Sequence, residues 1–193
     1  MITKTNKNSY GFTLVETLIA VAILMVAIAG PLTIANQALT AALGARNAMI
    51  ASNLAQDGME SIKNVKDNNV ALNQTWTQGW GDAANCISTS PCAIPDVFAN
   101  LPPFIHTCGY YNAANFTGCL LYTNDSGPTY YKYFYTDSPT SNRVSPFTRY
   151  YFLTPFPNAT TPTEMIVTVV VSWNDGALPN EIRLQELMTN AAR

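Results

Sequence analysis

Few side chains in this sequence have chemistry to offer, and each sits in surroundings that restrict it. Glu16 is the only ionisable residue between positions 11 and 45. A carboxylate near the start of a membrane-length helix costs roughly 3 kcal/mol on insertion scales, so Glu16 needs a partner. Two partners are open: headgroups and water, if the residue lies shallow, or a positive charge created inside the membrane. Cys86, Cys92, Cys108 and Cys119 are four thiols that form disulfides in an exported domain or hold zinc in a reducing compartment. Their C-x5-C and C-x10-C spacings lack the two to four intervening residues of zinc knuckles, even with His106 beside Cys108. Disulfides are the better reading. Three pairings are open, and the short-range one, Cys86 with Cys92 and Cys108 with Cys119, is favoured because it staples two local loops.

His106 is the only histidine, so any histidine-dependent triad would rest on it alone, and no G-x-S-x-G or H-E-x-x-H motif accompanies it. Asp125 and Asp137 come nearest to a glycosidase pair, but acids in polar loops are ordinarily solvated turn residues. The chain therefore reads as non-enzymatic, with no metal and no cofactor.

The elements that must position these groups begin with a short, polar, basic stretch containing Lys4 and Lys7. An apolar run over residues 12–35 follows, and a helix needs about 20 such residues to span a bilayer core. No A-x-A-like cleavage site closes the run, so it reads as retained rather than discarded as a secretory signal. The lysines hold the leader in the cytoplasm and place the remainder outside. Leu39, Leu43, Ile50, Leu54, Ile62 and Val65 continue a helical stripe, which predicts one helix over residues 12–66, roughly 80 Å long at 1.5 Å per residue. Its first half should be bare and its second half packed on a head. Pro31 removes one backbone donor, so a kink or a locally melted turn is expected there.

Residues 67–100 show no clear periodicity and read as a long irregular connection of the kind that is functional or covalently stapled. Short aromatic runs at 104–111, 119–123, 130–135 and 149–153 are bounded by turn residues and read as strands. The clearest strand is 165–173, with Met165, Val167, Val169, Val171 and Trp173 on the face that covers the helix. After Asn174-Asp175-Gly176, residues 181–187 alternate with Ile182 and Leu184 inward, which completes a hairpin. Helix, irregular loop and antiparallel strands in that order make an α+β domain. The organisation is then 1–11 leader, 12–35 transmembrane half-helix, 36–66 amphipathic half-helix and 67–193 extracytoplasmic head.

Composition agrees with this division. Charged residues make up 11% of the chain, under half of the roughly 25% usual for soluble domains, and no cluster of basic residues marks a nucleic-acid footprint. Nine of the ten tyrosines fall between residues 110 and 151. They either fill a small sheet core with hydroxyls at its rim or present an aromatic binding face. N-x-S/T sequences at Asn73, Asn115, Asn124 and Asn158 carry little weight in so Asn- and Thr-rich a chain.

The hexapeptide Gly11-Phe12-Thr13-Leu14-Val15-Glu16, behind a short basic leader and opening an apolar helix, resembles the processing signal of type IV prepilins and of the related type II secretion pseudopilins. The resemblance implies cleavage between Gly11 and Phe12 by a membrane-embedded prepilin peptidase, with methylation of the new amine on Phe12. It also answers the Glu16 problem, because that glutamate neutralises the N-terminal ammonium of a neighbouring subunit during assembly. Loss of Lys4 and Lys7 with the leader moves the formal net charge from −2 to −4. A weaker likeness to minor pilins and pseudopilins lies in Phe147-Thr148-Arg149, the Val-rich strand ending Ser172-Trp173, and Ile182-Arg183-Leu184.

The function implied is a structural subunit, a minor pilin or pseudopilin, held in the cytoplasmic membrane with its head outside and then assembled into an extracellular or periplasmic filament. Its partners would be the prepilin peptidase, other pilin or pseudopilin subunits and an inner-membrane assembly platform. The second reading is an adhesive or ligand-binding module that uses the filament as a stalk and the aromatic head to bind; a nucleic acid or glycan ligand is open but not indicated.

Overall fold

A computed structural model of the chain describes residues 11, 13–78, 86–94, 108, 119–123, 133–134, 143–156, 163–175 and 179–190. One helix, α1 (Leu14–Ala71), precedes six strands: β1 (Cys92–Ala93), β2 (Leu120–Thr123), β3 (Tyr133–Phe134), β4 (Arg143–Phe156), β5 (Glu164–Asn174) and β6 (Pro179–Thr189). The fold class is α+β. The chain divides into two compact units, Met1–Ala45 and Arg46–Arg193.

In the first unit α1 is apolar and bare. Every large apolar side chain from Leu14 to Leu43 is exposed, between 49% at Val21 and 75% at Leu14 and Val26. Leu39 and Leu43, expected on the packed stripe, belong to this bare part. The helix also runs unbroken through Pro31, so the locally melted turn does not occur, although the carbonyl of Ala27 loses the donor that a non-proline residue at position 31 would supply.

In the second unit the C-terminal part of α1 lies on an antiparallel sheet of strand order β3-β2-β4-β5-β6, with β1 pairing to β4 beside that path. Ala51, Leu54, Ala55, Gly58, Met59 and Ile62 are buried at spacings of three and four, which puts them on one helix face. They meet Phe147, Tyr151 and Leu153 of β4 and Met165, Val167, Val169, Val171 and Trp173 of β5 in one cluster. The β5–β6 hairpin is in continuous register from Glu164↔Thr189 to Asn174↔Pro179, and Ile182 and Leu184 pack against that cluster.

The sheet is covered on its other face as well. Thr168, Val170 and Ser172 of β5 are buried, and Val170 and Tyr150 form a second cluster with Ala93, Cys108 and Cys119. The near-continuous Val run of β5 is thus the sequence mark of a strand buried on both sides.

Two elements run well past the sequence expectation. The helix extends past residue 66 to Ala71 because its stop is Asn73, which takes a left-handed φ of 55°. Asn73 N–H donates to Val70 and Gln74 N–H to Asn69, the two bonds of a Schellman cap. Strand β4 runs 14 residues rather than the five of the 149–153 expectation, despite containing Pro146 and Pro155. Pro146 precedes the first β5 pair, Phe147↔Trp173, and Pro155 lies beyond the β1 and β2 pairings, so each prolyl nitrogen falls where β4 has a partner on one side only. Of the expected strands, 104–111 is described only at Cys108 and 130–135 only at Tyr133 and Phe134.

Candidate functional site

The candidate site is the N-terminal end of α1. Gly11 is exposed, and Phe12, the residue on which cleavage and methylation would converge, lies outside the described residues together with positions 1–10. Thr13 caps the helix: its Oγ1 accepts from Glu16 N–H at 3.3 Å, and its carbonyl accepts from the same N–H at 3.0 Å. Thr13-Leu14-Val15-Glu16 therefore has the T-x-x-E spacing of a capping box, with the acid in the first turn where the helix dipole favours negative charge. This spacing was readable in the sequence, and it gives Thr13 a role that the sequence argument missed.

Downstream of Glu16 the helix is apolar enough, by length and composition, to cross a membrane, and none of that stretch is covered. Full burial of each exposed Leu or Ile is worth about 1.5–3 kcal/mol, so this surface favours lipid or another helix over water. Glu16 then stands at the rim of a long apolar surface as its only charge.

Among the described residues no group of three or more His, Cys, Asp or Glu could hold a metal ion. His106, Asp125 and Asp137 lie outside them, as do Trp80 and the tyrosines at 110, 111, 130, 131 and 135.

The four cysteines are paired in the short-range pattern, Cys86 with Cys92 at a Cα separation of 5.3 Å and Cys108 with Cys119 at 5.2 Å. One disulfide lies in the cluster on each face of the sheet. The Tyr151 hydroxyl is 3.7 Å from Cys86 Sγ. A disulfide sulfur has no hydrogen to give, so the phenol is the donor. Burial pushes the Tyr151 pKa well above its usual value.

Of the four described tyrosines, all but the half-buried Tyr122 take core positions. Tyr150 and Tyr151 are buried, and Tyr133 packs edge-on against Phe147 at 5.5 Å between ring centroids. At the end of β5, Asp175 accepts from Trp173 Nε1 at 2.7 Å and from Asn47 of the helix, so this expected turn residue ties β5 to α1. Beyond the helix end, Asn69 Nδ2 donates to the carbonyls of Trp76 and Gln78 and holds the first part of the irregular connection.

Residues 6–30 match the family model of the prokaryotic N-terminal methylation motif. The chain carries a type IV pilin-like prepilin signal. The matched stretch takes in Gly11, Phe12, Glu16 and the first turns of the apolar helix, and such a signal implies processing by prepilin peptidase and assembly with other pilins. A membrane-anchored state before assembly fits both the signal and the bare helix. No curated protein and no solved structure matches the chain.

Proposed function

We propose that this protein is a structural, non-catalytic subunit of a type IV pilus or type II secretion-like filament, in the position of a minor pilin or pseudopilin. The observation that carries the reading is the methylation-motif match at residues 6–30, which takes in the capped start of a helix whose large apolar side chains from Leu14 to Leu43 are all exposed. Peptidase cleavage after Gly11 frees an amine on Phe12, and methylation keeps that amine cationic. In the assembled filament Glu16 of one subunit pairs with the Phe12 ammonium of the next, and the apolar faces of the helices exchange lipid for one another. Pro31 is the point at which the helix bends to follow its neighbours. The assembly platform in the cytoplasmic membrane receives the processed subunit with its head outside.

Intact-mass measurement of the membrane-extracted chain, co-expressed with its cognate peptidase, tests the reading. The expected product starts at Phe12 and carries one methyl group. Retention of residues 1–11 refutes it. Glu16→Ala is expected to leave cleavage unchanged and to reduce incorporation into filaments, and unaltered incorporation would refute the charge-pair role.

A further inference from the structure

Arg149 is the one cation buried among the described residues of the head, its side chain 3% exposed. It projects from the helix-facing side of β4, in the row that otherwise holds Phe147, Tyr151 and Leu153. Its Nη1 donates to the Leu54 carbonyl of α1 at 3.3 Å and to Asp57 Oδ2 at 2.6 Å, while Nε is buried without a partner. Asp57 itself is 65% exposed, so the guanidinium passes under the helix and meets its counter-ion at the solvent edge. The passage exists because the next residue is Gly58. A Cβ there would meet Ile94 Cδ1 at 2.6 Å, Val169 Cγ1 at 3.2 Å and Arg149 Cδ at 3.3 Å.

A buried arginine with an unsatisfied nitrogen and a glycine in mid-helix are both unfavourable for stability alone. We infer that Asp57, Gly58 and Arg149 form a register key, which fixes where along its axis the helix sits on the sheet. The apolar stripe does this only at its end. A slide of one turn brings Ile50, Ala51, Leu54, Ala55 and Gly58 into the places of Leu54, Ala55, Gly58, Met59 and Ile62, five apolar exchanges, and the one polar residue to enter the face is Asn47, in the place of Ala51. The same slide puts Leu54 into the notch where even a Cβ meets Ile94 Cδ1 at 2.6 Å, and Asn53 where the guanidinium needs an anion. The opposite one-turn slide offers Ile62 and Ser61. A three-residue slide supplies Glu60 as the anion but sets Ser61 in the notch. Of the three glycines in the helix, Gly30, Gly44 and Gly58, only Gly58 follows an acid. One register therefore satisfies both conditions. The key does not depend on the filament reading, since it concerns the head alone.

Cross-linking on the full chain in detergent reads the register directly. All four cysteines are in disulfides, so introduced thiols are the only free ones. Lys63 Nζ and Glu186 Oε2 lie 2.8 Å apart, so a short thiol–thiol cross-linker should join Lys63→Cys to Glu186→Cys in the parent, whereas Met59→Cys with Glu186→Cys should not react. Exchanging Asn53-Leu54 with Asp57-Gly58 (N53D/L54G/D57N/G58L) moves the key by one turn at constant composition. The helix should follow by four residues, about 6 Å, and the 59–186 product should overtake the 63–186 product by tenfold or more. Retention of the parental ratio overturns the proposal. Arg149→Met covers the case in which the exchanged variant does not fold, because an apolar replacement of a buried ion commonly preserves the fold. It should populate both registers and raise the 59–186 product from background to a sizeable fraction; a pattern identical to the parent overturns the proposal.

Discussion

Gly58→Ala tests the packing between helix and sheet, because two general effects of opposite sign meet at one atom. At an exposed helical position this change stabilises by about 1 kcal/mol, since alanine is the better helix former. Here the added methyl would sit 2.6 Å from Ile94 Cδ1, about 1 Å inside a normal carbon–carbon contact, with Val169 Cγ1 and Arg149 Cδ close behind. Ile94 is 1% exposed, so its δ-methyl has to shift within the core rather than into solvent. Overpacking of this kind costs about 1–3 kcal/mol, so the net effect is a loss of up to about 2 kcal/mol rather than a gain. For a chain of this length that lowers the Tm by up to about 8 °C.

The assay is thermal unfolding of the full chain in detergent under non-reducing conditions, followed by near-ultraviolet circular dichroism. Ile94→Val removes the Cδ1 atom that makes the closest approach. Alone it should cost about 1 kcal/mol, but combined with Gly58→Ala it should cost less than the sum of the two, a coupling of about 1 kcal/mol. A Gly58→Ala variant more stable than the parent, with additive behaviour in the cycle, would refute this account of the notch.

Replacing Cys86 and Cys92 by serine should lower stability by about 2 kcal/mol on the chain-entropy estimate for so short a loop, more where the buried Tyr151 hydroxyl loses its neighbour; denaturant titration against the parent measures it. Asn73→Ala should cost about 1 kcal/mol, and Asn73→Gly should be close to neutral, because the position requires a left-handed backbone; equal losses for both would refute the cap. Stability should also fall in alkali. Lys63 is raised above the ordinary lysine pKa, chiefly by its hydrogen bond to Glu186, and Tyr151 is raised by burial. In both cases the protonated form is favoured in the folded state, so the contribution is complete below the unfolded pKa, near 10, and declines as pH rises above it. The Lys63 part is under about 1 kcal/mol because both partners are partly exposed, and it should shrink with salt. A pH titration of Tm between 8 and 11 in the parent and in Lys63→Met and Tyr151→Phe measures each share.

The elements legible in the sequence were those whose pattern is local. Residues 165–173 and 181–187 alternate with period two, and they form the hairpin in register. Residues 50–62 repeat at three and four, and they form the packed face of the helix. The short-range cysteine pairing was favoured among three open connectivities, and the fold decided it by placing one disulfide on each side of the sheet. Less legible was β4, whose two prolines suggest interruption unless the location of its neighbours is known. The helix stop at Asn73 was hidden behind Lys66-Asp67-Asn68-Asn69, whose polarity resembles an ending although the backbone continues for another turn.

By itself the sequence determined the character of the N-terminal segment: a prepilin-type signal over residues 6–30, a carboxylate at Glu16 and an apolar helix long enough for a membrane. Those properties depend on neighbours within a few residues and on the solvent. Arg149 shows what only the tertiary structure decided. In sequence it opens a short aromatic run and looks like an ordinary polar position on a strand. Its burial, its bond to Asp57 and the need for Gly58 at the crossing all arise from a contact between residues 92 positions apart. Hydrophobic patterning specifies which faces meet but leaves their axial alignment degenerate, because apolar contact is non-directional. A directional bond and a steric notch lift that degeneracy, and both come into being only once helix and sheet are together.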